Sequence, residues 1–146
     1  MRILKFSTLF FLLFVIGCSS KTIEPQLDDV MLENGKSIFL SGYNVKGEAL
    51  QNLELSEKNG MVHGCAQCHG QDGKGKFRGG GANQTGSIRY EDLTNPNLHA
   101  IPYTDALIRR FIDSETKSDG THAQTGVVYV MSESDKSDLI SYLKVL

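Results

Sequence analysis

Residues 64–70 read Gly64-Cys65-Ala66-Gln67-Cys68-His69-Gly70, two thiols three positions apart with an imidazole directly after the second. Parts of that arrangement serve three chemistries: a redox dithiol, a zinc-ligand cluster and a covalent haem anchor. The choice among them decides the fold, because each needs a different set of elements around the motif.

Upstream, the chain opens with MRILKFSTLFFLLFVIG, two positive charges (Arg2, Lys5) followed by an apolar run. That order is the grammar of a secretory signal. The run from Phe6 to Ile16 is shorter than the roughly 20 residues a membrane crossing needs, so export is expected rather than permanent insertion. Val15-Ile16-Gly17-Cys18 resembles a bacterial lipobox, in which the cysteine is lipid-modified and becomes the first residue of the mature chain. The alternative is a plain signal peptide with an incidental cysteine. A lipid on Cys18 implies attachment to a bacterial membrane without a spanning helix, the domain facing the periplasm or the cell exterior. The polar stretch SSKTIEPQLDD that follows reads as a flexible tether. The expected organisation is a signal peptide at 1–17, a tether at 18–30 and one domain at 31–146.

Without Arg2 and Lys5, thirteen basic residues face seventeen acidic ones, and no basic run appears. Such a mildly acidic chain lacks the concentrated positive patch that nucleic acid requires. With Cys18 assigned to lipid, only Cys65 and Cys68 remain, and an exported pair of thiols is either oxidised or put to use.

The patterning points to helices. In LDDVMLENGKSIFLS (27–41), Leu27, Val30, Met31, Ile38 and Phe39 recur near helical spacing, and a helix is expected over the second half, with Gly42 as its stop. Thr104 is an N-cap for a helix of about ten residues carrying Ala106, Leu107, Ile108, Phe111 and Ile112. Ser132 and Asp135 give a cap and acidic first turn before Leu139, Ile140, Tyr142 and Leu143. No stretch alternates as a strand should. The loop GQDGKGKFRGGGANQTG after His69 is glycine-rich, but it lacks the strand before and helix after that a phosphate cradle needs. A backbone turning tightly around something bulky fits better. A small all-α domain is expected, about three to four helices wrapped round a ligand.

Against that background the three chemistries separate. A thioredoxin-like dithiol belongs in a strand-helix-strand context that is missing. Zinc needs further ligands, and His63, His99 and His122 are scattered without ligand spacing. Haem attachment uses every residue: one helical turn presents Cys65 and Cys68 to the two vinyl groups of one porphyrin, and His69 can give Nε2 to the iron.

From about Gly35 to Leu146 the chain resembles a bacterial class I c-type cytochrome with one haem. NGKSIFLSG matches the N-terminal helix, CAQCHGQDGKG the haem segment and SIRYEDL the lower loop. PYTDALIRRFI matches the middle helix and YVMSESDKSDLISYLKVL the last one. The resemblance implies haem c bound through Cys65 and Cys68 and ligated by His69. It also implies that the first and last helices cross, with Gly35 and Phe39 meeting Leu139 and Tyr142. The family's second iron ligand is usually a methionine followed by proline, but Gly126-Val127 stand at that place. Met131 and His122 are the two candidate replacements, and an open or water-ligated iron, His63, His99 and Met61 are the remaining possibilities. Arg89 and Tyr90 are either partners for a haem propionate or surface residues. The function implied is single-electron transfer between redox partner proteins of the cell envelope, rather than catalysis. The alternative is a haem sensor or peroxidase-like enzyme with an exchangeable sixth ligand.

Overall fold

A computed structural model describes residues 27–57, 59–76 and 85–146. The signal peptide expected at 1–17 and Cys18, the expected site of lipidation, lie outside the described residues. Five helices follow in order: α1 (Leu27–Ser41), α2 (Cys65–His69), α3 (Tyr90–Leu93), α4 (Asp105–Ser114) and α5 (Glu133–Leu143). Among the described residues extended pairing is confined to isolated bridges, so the class is all-α. None of the described helices is long and apolar enough to cross a membrane.

Helix α1 is longer than its pattern suggested. It starts at Leu27, so residues 27–30, expected in the tether, form its first turn. Asp28 and Asp29 there complement the positive end of the helix dipole. Helix α1 lies across α5 at unusually close range. A Cβ on Gly35 would overlap the Asp138 carbonyl oxygen and sit 2.6 Å from Asp138 C and 2.8 Å from Tyr142 Cβ. Only glycine admits that approach. One turn on, Phe39 is fully buried with its ring centroid 5.4 Å from that of Tyr142. Ile38, Phe39, Leu50, Ala66, Leu139 and Leu143 form the core at this crossing. Burying a side chain such as Phe39 contributes about 2–3 kcal/mol.

Polar residues stitch the same interface. Asn34 donates through Nδ2 to Asp135 (3.1 Å) and Asp138 (2.7 Å), while its Oδ1 accepts the Val45 N–H (2.9 Å). On the other side of α5, Lys136 is 4% exposed, with its ammonium 2.5 Å from Asp113 of α4 and 2.6 Å from Glu133. Helix α5 is thus covered on two sides, by α1 and α4. Both predicted caps form: Thr104 Oγ1 accepts from Leu107 N (3.3 Å) and Ser132 Oγ from Asp135 N (3.1 Å). A second, smaller core of Leu93, Ile108 and Ile140 joins α3, α4 and α5.

Candidate functional site

The motif occupies α2. Its one buried residue, Ala66, is pinned in the α1–α5 core, which leaves Cys65, Cys68 and His69 partly buried around the turn. Gly64 precedes α2 in extended conformation, and a Cβ there would meet Leu40 C at 2.5 Å and Ser41 N at 2.6 Å. The motif therefore begins in direct backbone contact with the end of α1.

Chain beyond the motif folds back to satisfy the free carbonyls at the end of α2. Thr85 Oγ1 donates to Cys68 O (2.6 Å) and accepts from Lys76 N (2.9 Å), while Lys76 Nζ donates to Gln67 O (3.1 Å). This closure puts Gly86 O 2.7 Å from His69 Nδ1. A carbonyl only accepts, so Nδ1 carries the proton and Nε2 keeps its lone pair. Burial holds the His69 pKa below its ordinary value, opposed by the hydrogen bond to Gly86. At neutral pH the imidazole is an uncharged donor in a fixed tautomer, the state a metal ligand requires.

The thiols differ. Cys65 packs against the main core, and enclosure there pushes its pKa up to about 11, partly offset by a side-chain hydrogen bond with Tyr129. Burial and the two nearby thiols raise the Tyr129 phenol in turn. The Tyr129 hydroxyl donates to His63 O (3.2 Å), and Gln51 Oε1 accepts the His63 N–H (2.7 Å). His63 Nδ1 is hydrogen-bonded to Gln67 Oε1. Two atoms of this group, Gln51 Nε2 and His63 Nε2, are buried with no hydrogen-bond partner.

The donor set suits a tethered haem: two thiols on one turn, a neutral Nε2 with its Nδ1 anchored, and apolar Ile88, Tyr90 and Met131 packed against the same core as Cys65. It suits zinc poorly, since among the described residues no three His, Cys, Asp or Glu side chains gather to hold an ion on their own.

The other expected residues sit as follows. Met131 is partly buried and packs against the core that contains Phe39 and Leu139. His122 is exposed, on a hairpin closed by the Thr116–His122 bridge and the 2.8 Å bond from Lys117 N to Thr121 O. Val127, in the position expected for proline, is buried. Arg89 donates to the Leu146 oxygen (3.0 and 2.7 Å) and pairs with Glu91 (2.8 Å), and the Tyr90 hydroxyl donates to Asp105 (2.8 Å). His99 stands edge-on to Tyr103 at 5.2 Å, and Met61 is exposed. Sequence patterning missed Thr85, which bonds the motif at Cys68 O, and Gln51 and Tyr129, which hold His63 just before it; all three come from segments with no periodicity.

Comparison with family models, curated proteins and solved structures finds no match to this chain.

Proposed function

We propose that this chain is a c-type cytochrome of the class I kind, a single-electron carrier lipid-anchored through Cys18 in the bacterial cell envelope, with one haem c. The observation that carries the proposal is the anchoring of His69 Nδ1 on Gly86 O, one residue after a thiol pair that shares its helical turn. The crossing of α1 and α5 at Gly35 adds support from the fold.

Bound haem supplies a one-electron iron couple. Cys65 and Cys68 hold it at two points, so it stays attached even where an edge is open to solvent. His69 presents Nε2, and the Gly86 oxygen keeps the proton on Nδ1 and the ring in one orientation, which strengthens the ligand. The core at Cys65 keeps water from that side of the site, and a low dielectric there tunes the potential.

A second reading, a haem sensor or peroxidase-like enzyme with an exchangeable sixth ligand, is favoured by one set of facts. Glycine and a buried valine replace the usual ligand pair, Met131 packs in the core, and His122 is exposed.

The test is to make the full chain in a host that attaches haem and to record optical and electron-paramagnetic spectra of both oxidation states, with and without carbon monoxide. Covalent haem with low-spin iron indifferent to carbon monoxide is the expected result for a carrier. Rapid carbon monoxide binding selects the second reading, and a chain without covalent haem overturns both. Fractionating the same cells tests the anchor: Cys18→Ala moves the protein out of the membrane fraction.

A further inference from the structure

One stripe of α1 loses its cover toward the N-terminus. Ile38 is 1% exposed and Asn34 7%, but Val30, one turn further back on the same face, is 44% exposed. The partner helix has run out there: α5 begins at Glu133, and Asn34 already bonds Asp135 in its first turn. The turn at 44–48 closes only part of the gap, and its Val45 is 52% exposed. Between these three elements lies a cavity of about 280 Å³, with Val30 and Val45 as apolar wall.

The cavity also lacks positive charge. Glu48, Asp135 and Asp138 line it against the single ammonium of Lys46. Asn34, Asn44 and Ser132 donate hydrogen bonds to these carboxylates, yet among the described residues no lysine, arginine or histidine pairs with any of the three. Their oxygens have acceptor sites that those bonds leave unused. The complementary occupant carries one apolar side chain and one cation.

The chain that leads into α1 has both. Residues 19–26, Ser19-Ser20-Lys21-Thr22-Ile23-Glu24-Pro25-Gln26, lie outside the described residues and hold one cation, Lys21, and one aliphatic side chain, Ile23. In an extended chain these two, being two apart, share a face, and Thr22 and Glu24 take the other. Pro25 biases Glu24 toward extended backbone, which turns the chain off the helix axis. Val30 is the fourth residue of α1, the place where an apolar residue just upstream of a helix packs as a staple. Reach is ample: the six steps from Leu27 back to Lys21 span up to about 20 Å, against about 10 Å along α1 from Leu27 to Asn34.

We propose that residues 19–26 fold back and occupy this cavity, Ile23 covering Val30 and Val45 and the Lys21 ammonium facing Glu48, Asp135 and Asp138. For its membrane consequence the inference rests on the lipid-anchor reading given above. Undocked, the nine steps from Cys18 to Leu27 give about 30 Å of play; docked at Lys21, three remain, about 10 Å. The domain is then held against the bilayer in one orientation, the cavity end of α1 and α5 toward the lipid.

Trypsin cutting after Lys21 tests this, because in the membrane-bound full chain the cut releases a fragment that begins at Thr22 and is identified by its mass. Docking shields the bond, so release tracks the undocked fraction. Val45→Ser weakens the apolar wall, and Glu48→Gln removes a charge while keeping an acceptor for Asn44; both residues are exposed. Each should speed release about three- to fivefold over wild type. The gain from Glu48→Gln should vanish in about 1 M salt, where the wild-type ion pair is screened as well. Equal rates in wild type and both variants overturn the proposal. Protection that grows with protein density on the membrane gives the cavity to a second copy and overturns it too. A chain missing from the membrane fraction overturns the anchor alone, since the same cut followed by mass in solution still reads the docking. Should a variant fold poorly, cleavage at Lys21 in the Cys18→Ala full chain is compared with that in a free peptide of residues 19–30. The chain should be cut about tenfold more slowly, and an equal rate overturns the proposal.

Discussion

His69 Nδ1 donates to the main-chain oxygen of Gly86 at 2.7 Å, and the hydroxyl of Thr85, one residue earlier, bridges Cys68 O and Lys76 N. The imidazole is therefore oriented by backbone, and the backbone is in turn held by one threonine.

Thr85→Ala removes that bridge and leaves the Cys68 carbonyl without its side-chain donor. The expected cost is about 1–2 kcal/mol, read as a lowered Tm. With haem bound, the same variant should show a perturbed axial histidine in its electron-paramagnetic spectrum, because Gly86 loses its fixed place. Thr85→Ser keeps the hydroxyl and should restore both.

Gly35→Ala places a methyl group on the Asp138 carbonyl oxygen. Helix propensity alone would favour alanine by about 1 kcal/mol. The clash at the crossing outweighs it, and net destabilisation of about 1–3 kcal/mol is expected from overpacking. Denaturant unfolding would measure it. Equal or greater stability of the alanine variant would mean that the helices do not cross so closely.

Asn34 supplies hydrogen bonds to two carboxylates that are 8–9% exposed, Asp135 and Asp138. Burial pushes the Asp135 pKa up, but hydrogen bonds from Ser132 and Asn34 more than offset this and hold it below the ordinary 3.8. A carboxyl with its folded pKa below the unfolded one stabilises the fold above the unfolded value. That contribution is lost as pH falls through the folded pKa. Stability should therefore be at its plateau near neutral pH and decline below about pH 4. Asn34→Ala should cost about 1–3 kcal/mol at pH 7, since it strands buried acceptors. It should also flatten the acid limb, which Tm measured from pH 7 to pH 3 would show.

His122→Ala and Met131→Ala discriminate the two replacement ligands. The exposed His122 contributes little to the fold, and its removal should change stability by less than about 0.5 kcal/mol. Met131 is packed on the core and should cost about 1–3 kcal/mol on truncation, short of the full range for a buried methionine. The ferric spectrum decides ligation independently: whichever substitution converts low-spin iron to high-spin removes the sixth ligand, low-spin iron in both variants points to a different sixth ligand, and high-spin iron in the unsubstituted protein points to an open position.

Helices α4 and α5 were legible because their caps, Thr104 and Ser132, are strong local signals, and α2 because the thiol spacing itself imposes a turn. The first half of α1 was not, because Gly35 interrupts the pattern for the sake of a partner about a hundred positions away. Buried Asp135, Lys136 and Asp138 look like solvent-facing residues in a one-dimensional reading. Their partners Asn34 and Asp113 come from other helices and leave no periodic trace. The same holds at the site. Cys65, Cys68 and His69 are contiguous and visible, whereas Gly86, Tyr129 and Gln51 act through single long-range bonds.

The contact between α1 and α5 joins residues 101 to 104 positions apart. Closing so long a loop carries an entropic penalty that the packing of α1 on α5 must offset. Until α5 docks, Ile38 and Phe39 have no lid, and α2 lies on the open stretch of chain between the two helices with both sulfurs within reach. The thiols are thus most accessible in a chain whose α1 and α5 have not yet met.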